Sequence, residues 1–212
     1  MKLVISAYST FMPEGLFKNG SPFYENQTGA DFNDFSKKAY RYMNLGYAKF
    51  FKMDELCKLA FLSAELLLKD KKLQITEEGT DIALVLGNKH SSLVSDMKHY
   101  ESYQNRDEYF PSPAVFVYTL PNIMMGELCI RHQIRGENSC FMMDEFQANF
   151  VYQYVHDLFE HEQYNYCITG WVDYSLEDYN AALCLVEKSI DGNKWIATFE
   201  PDFMNLITAR YG

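Results

Sequence analysis

The side chains best placed for chemistry are Asp144 and Glu145, two adjacent carboxylates. They fall between an apolar run, 139–143, and a stretch with Phe146, Phe150, Val151, Tyr154, Val155 and Leu158 at helical spacing. Acidic groups at a helix start are favoured by the helix dipole and by unpaired N–H groups. That explains Asp144 more fully than Glu145, so the pair stays open as an acid/base candidate. A nucleophile would be Cys140, but a thiol inside an apolar strand is ordinarily an inert small hydrophobe. Of His90, His99, His132, His156 and His161, only the last two lie close in sequence, and a spacing of five does not put them on one helical face. With Glu160 and Glu162 beside them, they read as a solvated helix end, not a zinc site. The motifs GxGxxG, GxxxxGK[ST] and GxSxG are absent, which sets aside nucleotide binding and a serine elbow. No cofactor or metal is expected.

The elements that must position these residues follow from pattern. An apolar strand is expected over 3–8, then a Pro/Gly-rich loop over 10–34. Asp54 caps a helix over 55–68 with one buried face, marked by Leu56, Leu59, Ala60, Ser63, Ala64 and Leu67. The run 81–87 reads as a buried parallel strand, and 90–103 as a surface helix. Pro111 and Pro113 mark a loop, 115–118 a short extended piece, and Pro121 the first position of a helix through His132. Strand 139–143 then leads into a helix over 144–161. Strands follow at 166–172, 181–187 and 195–199, the last two joined by a hairpin turn at Asp191-Gly192-Asn193. Alternation of strand and helix with an antiparallel finish predicts an α/β fold with a mixed sheet.

The chain has 212 residues, 48% hydrophobic and 16% aromatic, which suits a single domain with a substantial core or a large protein-binding face. Its net charge is −10, which argues against nucleic acid and against simple docking of an acidic carrier protein. A local basic set, Lys37, Lys38, Arg41, Lys49, Lys52 and Lys58, runs against that mean. The cysteines Cys57, Cys129, Cys140, Cys167 and Cys184 are an odd, dispersed set without CxxC, as expected of reduced thiols in the cytoplasm. No run of roughly 18 apolar residues suggests a membrane span.

Several segments resemble the N-terminal half of β-ketoacyl-acyl carrier protein synthases. The most specific is 120–138, which holds Pro121-Asn122, then Gly126 four residues later, then Ile134-Arg135-Gly136-x-Asn138. Phe51-Lys52-Met53-Asp54 and the helix after it are similar to the family's Arg-Met-Asp segment. The stretches 81–87 and 166–174 resemble two of its core strands. The resemblance covers about 42–187. It implies half of a thiolase-like fold: a mixed, mostly parallel five-stranded sheet with helices on both faces, as one domain over 1–212.

In the family, the strand after this turn leads to an Ala-Cys-Ala motif whose cysteine takes the acyl chain as a thioester. Counting from Asn138, that position is Glu145, flanked by Asp144 and Phe146. A carboxylate cannot carry out transthiolation, and Phe146 would crowd the acyl entrance. The second half, which supplies two histidines and a lysine, has no counterpart. The resemblance therefore implies a non-condensing partner like a chain-length factor, of the aryl-polyene or flexirubin branch, and not an enzyme. Its expected partner is a full-length ketosynthase or a second copy. The contact would run through Ser139, Cys140, Phe141, Met142, Met143, Phe150 and Tyr154, because in family dimers this strand pairs across the two-fold axis. Without a second half, Phe146, Phe150, Val151, Tyr154 and Leu158 need cover from another chain or from the C-terminal segment. Two other readings stand beside this one: a small enzyme using Asp144 or Glu145 as acid or base, and a module that binds acyl groups or an acyl carrier protein at the basic set.

Overall fold

A computed structural model describes residues 1–71, 75–76, 79–80, 82–104, 111–162, 164–190 and 194–209. Strand β1 (Leu3–Met12) is longer than expected and is followed by β2 (Gly15–Lys18) and β3 (Ser21–Glu25), where the sequence reads as loop. The missed signal is Asn19-Gly20. Both residues adopt positive φ, 53° and 80°, and close a two-residue hairpin between β2 and β3. Helix α1 (Phe32–Tyr42) also begins within that expected loop; Asp31 caps it by accepting from the Asp34 N–H. A 3₁₀ turn (Ala48–Lys52) leads to α2 (Glu55–Leu68), capped by Asp54 as expected. Helix α2 is buried almost all round, not on one face, as its dense apolar composition requires.

A two-stranded ribbon, β4 (Ile75–Thr76) with β5 (Gly79–Thr80), stands off the main sheet. Strand β6 (Ile82–Asn88) is buried throughout and leads to α3 (Leu93–Gln104). Where an extended piece was expected after Pro113, the chain forms α4 (Pro113–Phe116) and a 3₁₀ turn (Val117–Thr119). Helix α5 (Ile123–His132) starts two residues after Pro121 and ends at Gln133 in the left-handed conformation. Strand β7 (Asn138–Met142) is followed by α6 (Ala148–His161), β8 (Tyr166–Tyr174) and β9 (Tyr179–Lys188). The short β10 (Ala197–Thr198) pairs with β1 and makes no hairpin with β9; the expected turn at 191–193 lies outside the described residues. A last helix, α7 (Pro201–Thr208), has proline in its first turn.

The main sheet has eight strands in the order β3-β2-β1-β9-β8-β6-β7, with β10 also on β1. Among the described residues β6 runs parallel to β7 and β8, and the remaining pairs are antiparallel. The expectation of five mostly parallel strands is thus corrected: the N-terminal hairpins and the β8–β9 return make the sheet mainly antiparallel. Helices do cover both faces. Phe11, Phe35, Phe50 and Phe61 pack with α1, α2 and α5 on one side. Val151, Val155, Phe159, Phe199, Met204 and Ile207 pack α6 and α7 on the other. Close approach at the centre depends on Gly170 (φ 145°), where a Cβ would strike the Ala182 carbonyl oxygen on β9.

Candidate functional site: the carboxyl ends of the parallel strands

The parallel strands β7, β6 and β8 lie side by side, so their carboxyl ends open at one edge of the molecule, the usual place for function in such sheets. The segment after β7 makes the first part of the site. The Met143 N–H donates to the Asn88 carbonyl at 2.9 Å, which ties this segment to the end of β6. Phe146 folds down against Trp171, with ring centroids 6.1 Å apart, and over Gly87, where a Cβ would lie 3.6 Å from its ring and 2.9 Å from Trp171. Filling this space draws the chain out of helix, and Gln147 stands at the N-cap position with ψ 77°. Asp144 and Glu145 are therefore exposed residues of a connecting loop. This corrects the expectation that they begin the helix, and the helix-dipole argument does not apply to them. Glu145 does lie between the strand and the helix, with Gln147 Nε2 3.5 Å from its Oε1.

The second part is the edge strand β7. It pairs with β6 alone, leaving its outer edge open among the described residues. Ser139 and Tyr154 are joined: their hydroxyl oxygens are 2.9 Å apart, and both donate to Glu137 Oε1, at 2.6 and 3.2 Å. Phe141 meets Phe150 and Tyr154 edge-on at 4.8 and 5.1 Å. Met142 and Phe150 are 46% and 43% exposed, while Ser139, Cys140, Phe141, Met143 and Tyr154 are half-buried. Cys140 turns to the other face, its Sγ 4.0 Å from the Pro121 carbonyl, and burial pushes its thiol up to about 11. The expected open display on α6 is smaller than the pattern suggests. Val151 is buried, Leu158 is half-buried, and α7 packs in the same core.

The third part was not legible in the sequence. Beyond β6, buried Asn88 donates from Nδ2 to the Val172 carbonyl at 2.6 Å and accepts from the Ser91 N–H. Ser91 itself takes φ 55°, so the chain turns back sharply. Asp173 on β8 accepts from the N–H groups of Lys89 (3.0 Å) and His90 (2.8 Å), and its Oδ2 lies 2.6 Å from His90 Nδ1. A carboxylate has only lone pairs to offer, so Nδ1 carries a proton toward Asp173. His90 and Asp173 stand 83 positions apart, and no local spacing connects them.

Beside this turn, α2, α3 and α1 bring together a cluster of charges. Glu55 Oε1 accepts from Lys98 Nζ (2.7 Å) and Asn33 Nδ2 (3.3 Å). Asp54 caps α2 through the Cys57 N–H (2.9 Å) and accepts from Ser95 Oγ (2.7 Å). The sequence-level basic set is dispersed by the fold: Lys38 pairs with Asp34, Lys49 with buried Glu127, and Lys58 sinks into α2's packing. Arg131, on α5, grips Glu65 of α2 through Nε at 2.6 Å and Nη2 at 3.3 Å. Among the described residues no group of three or more His, Cys, Asp or Glu is arranged to hold a metal. No single helix among them is long and apolar enough to cross a membrane.

No family model matches this sequence, and no curated protein matches it. Solved structures do share its fold. The ishigamide ketosynthase/chain length factor superposes with a TM-score of 0.69 at 18% identity, over 92% of this chain and 64% of that one. The ketosynthase ApeO in complex with its chain length factor ApeC, from Xenorhabdus doucetiae, gives 0.55 at 15% identity, over 90% and 81%. AntDE:AntF, a type II polyketide synthase acyl-carrier protein in complex with its ketosynthase, gives 0.55 at 11%, over 88% and 62%. The chain thus spans less than two thirds of the first and third of these proteins. At these identities the likeness is one of fold: a mixed α/β sheet with helices on both faces, like that of these solved structures.

Proposed function

We propose that the chain is a non-condensing, chain-length-factor-like partner in fatty-acid or polyketide assembly, of the aryl-polyene type. It docks a full-length ketosynthase, or a second copy of itself, through β7 and α6. The observation that carries this reading is the open edge of β7 with Met142 and Phe150 exposed beside it. Unpaired strand edges flanked by apolar side chains are templates for pairing with another chain. Glu145 supports the non-condensing part, because it occupies the strand-to-helix connection with a carboxylate, which cannot accept an acyl group from a thioester in the manner of a thiolate. The acid/base reading of Asp144 and Glu145 gains nothing from the fold, since both are exposed on a loop. The test is sedimentation and co-purification with a full-length ketosynthase. Wild type is expected to dimerise or to shift on adding the synthase, Met142→Asp with Phe150→Asp to abolish this, and Glu145→Gln to leave it intact. A monomer that ignores the synthase would remove the proposal.

A further inference from the structure

The end of the sheet opposite β7 carries an aromatic-lined groove. It has a volume of about 490 Å³ and is formed by residues 22–28, in β3 and the turn after it, with Phe35, Lys38 and Tyr42 of α1. Its aromatic wall exists because β3 is irregular. Leu16 on β2 pairs with Tyr24, and Phe17 pairs with Pro22, so Phe23 is the extra residue of a β-bulge. In a regular strand Phe23 and Tyr24 would point to opposite faces, and a bulge re-aims such side chains. Here both rings meet Tyr42, Phe23 edge-on at 5.5 Å and Tyr24 stacked at 4.6 Å and 24°. Tyr24 also stacks on Phe35 at 5.6 Å and 10°. A run of near-parallel rings therefore leads from buried Phe35 through Tyr24 to Tyr42, which is 59% exposed. Lys69 Nζ lies 4.3 Å over Phe23 and steadies that ring.

Beside the rings, Glu25, Gln27 and Thr28 are exposed, and their side chains have no hydrogen-bond partner among the described residues; the same holds for the Tyr42 hydroxyl. The charged residues of the groove are Glu25 and Lys38, and Lys38 is tied to Asp34 at 2.6 Å. The lining thus offers no uncommitted cation to draw an anion. The strand edge here is also a poor template for a partner strand, because Pro22 has no N–H and the bulge interrupts the ladder. We propose that this groove binds a neutral aryl ligand that carries hydroxyl groups. Its ring continues the stack at Tyr42 in the offset arrangement that aromatic pairs prefer. Its hydroxyls donate to the Glu25 carboxylate and exchange hydrogen bonds with Gln27 and Thr28. A groove of this volume suits one small molecule. Because β3 and β7 stand at opposite ends of the sheet, the site does not depend on docking at β7 and can fail without it.

The test is titration of the full chain with naphthalene-2,7-diol, read by the fluorescence of the diol, against 6-hydroxy-2-naphthoate and methyl β-glucoside. Saturable binding of the diol is expected. The naphthoate should bind more weakly because its charge meets Glu25, and the glucoside more weakly still because it has hydroxyls but no aromatic ring. Tyr42→Leu keeps an apolar side chain at an exposed position and removes the ring. It is expected to weaken the diol about three- to ten-fold, as for the loss of one aromatic pair. Glu25→Gln, also an exposed change, is expected to bring the naphthoate level with the diol. Absence of saturable diol binding, an affinity unchanged by Tyr42→Leu, or a naphthoate or glucoside that matches the diol on wild type would overturn the site.

Discussion

Replacing Asp173 tests the polar turn at the end of β6 and β8 most directly. Its carboxylate is 14% exposed and receives the N–H groups of Lys89 and His90, His90 Nδ1, and a longer contact from Asn88 Nδ2 at 3.3 Å. Hydrogen bonds to a charged group contribute roughly 1.5–3 kcal/mol each when nothing replaces them. Here the Lys89 N–H is near solvent and recovers a water, and Asn88 keeps the Val172 carbonyl. The two contacts from His90 carry most of the loss, so Asp173→Ala is expected to cost about 2–4 kcal/mol. Asp173→Asn keeps the acceptor for the backbone donors and loses mainly the charged contact, so about 1–2 kcal/mol is expected. Urea unfolding measures both, and with a slope of about 2 kcal/mol/M the alanine variant shifts its midpoint by about 1–2 M. Ring nitrogen NMR supplies an independent readout. Wild type places the His90 proton on Nδ1, whereas the amide nitrogen introduced by Asp173→Asn favours the Nε2 tautomer. A wild-type ring protonated at Nε2 alone, or an alanine variant within about 0.5 kcal/mol of wild type, would refute the reasoning.

Other expectations follow from the packing. Arg131→Met leaves Glu65, whose side chain is 9% exposed, with only His132 Nε2 at 3.6 Å, and is expected to cost about 2–3 kcal/mol in chemical unfolding; the 29% exposure of Arg131 and the nearby imidazole keep this below the fully buried case. Gly170→Ala must separate β8 from β9 at a glycine-only φ and is expected to cost about 3–5 kcal/mol, measured as a lower urea midpoint or as loss of folded protein. Alkaline pH should destabilise the chain. Burial raises the thiols of Cys57, Cys140, Cys167 and Cys184 and the phenol of Tyr174 in the folded state, Cys140 to about 11 and Tyr174 to about 12. The unfolded chain releases these protons first, so stability is intact below the ordinary thiol range near 9 and falls as pH rises through about 11. Urea midpoints between pH 7 and 11 check this, and a midpoint that rises with pH would contradict it. By the same cause, Cys140 in the folded state should alkylate far more slowly at pH 8 than a free thiol, as mass spectrometry with iodoacetamide would show.

The parts of the fold written in regular patterns were legible. The Asp54 cap, the apolar run of β6 and the strand at 139–142 all stand where their residues placed them. The N-terminal meander was obscured because Pro13, Gly15, Gly20 and Pro22 resemble loop composition, although Asn19-Gly20 is a hairpin turn. Helix α6 begins late because the demand for Phe146 to fill the space over Gly87 and against Trp171 overrides local helical spacing. The edge position of β7 followed from the resemblance. The His90–Asp173 contact did not, since it joins residues far apart in the chain through a strand pairing that only the folded sheet supplies. Lys58 groups with the surface lysines by composition, and only its burial separates it from them.

The open edge of β7 has a thermodynamic consequence. A ligand that engages only the folded form draws the unfolding equilibrium toward it by mass action, by about 2.7 kcal/mol when present at a hundred times its dissociation constant. For a chain completed by a neighbour along that edge, the melting temperature is a property of the mixture. It should climb with the supply of the neighbour, and abundance in the cell would then track how much of that neighbour is made.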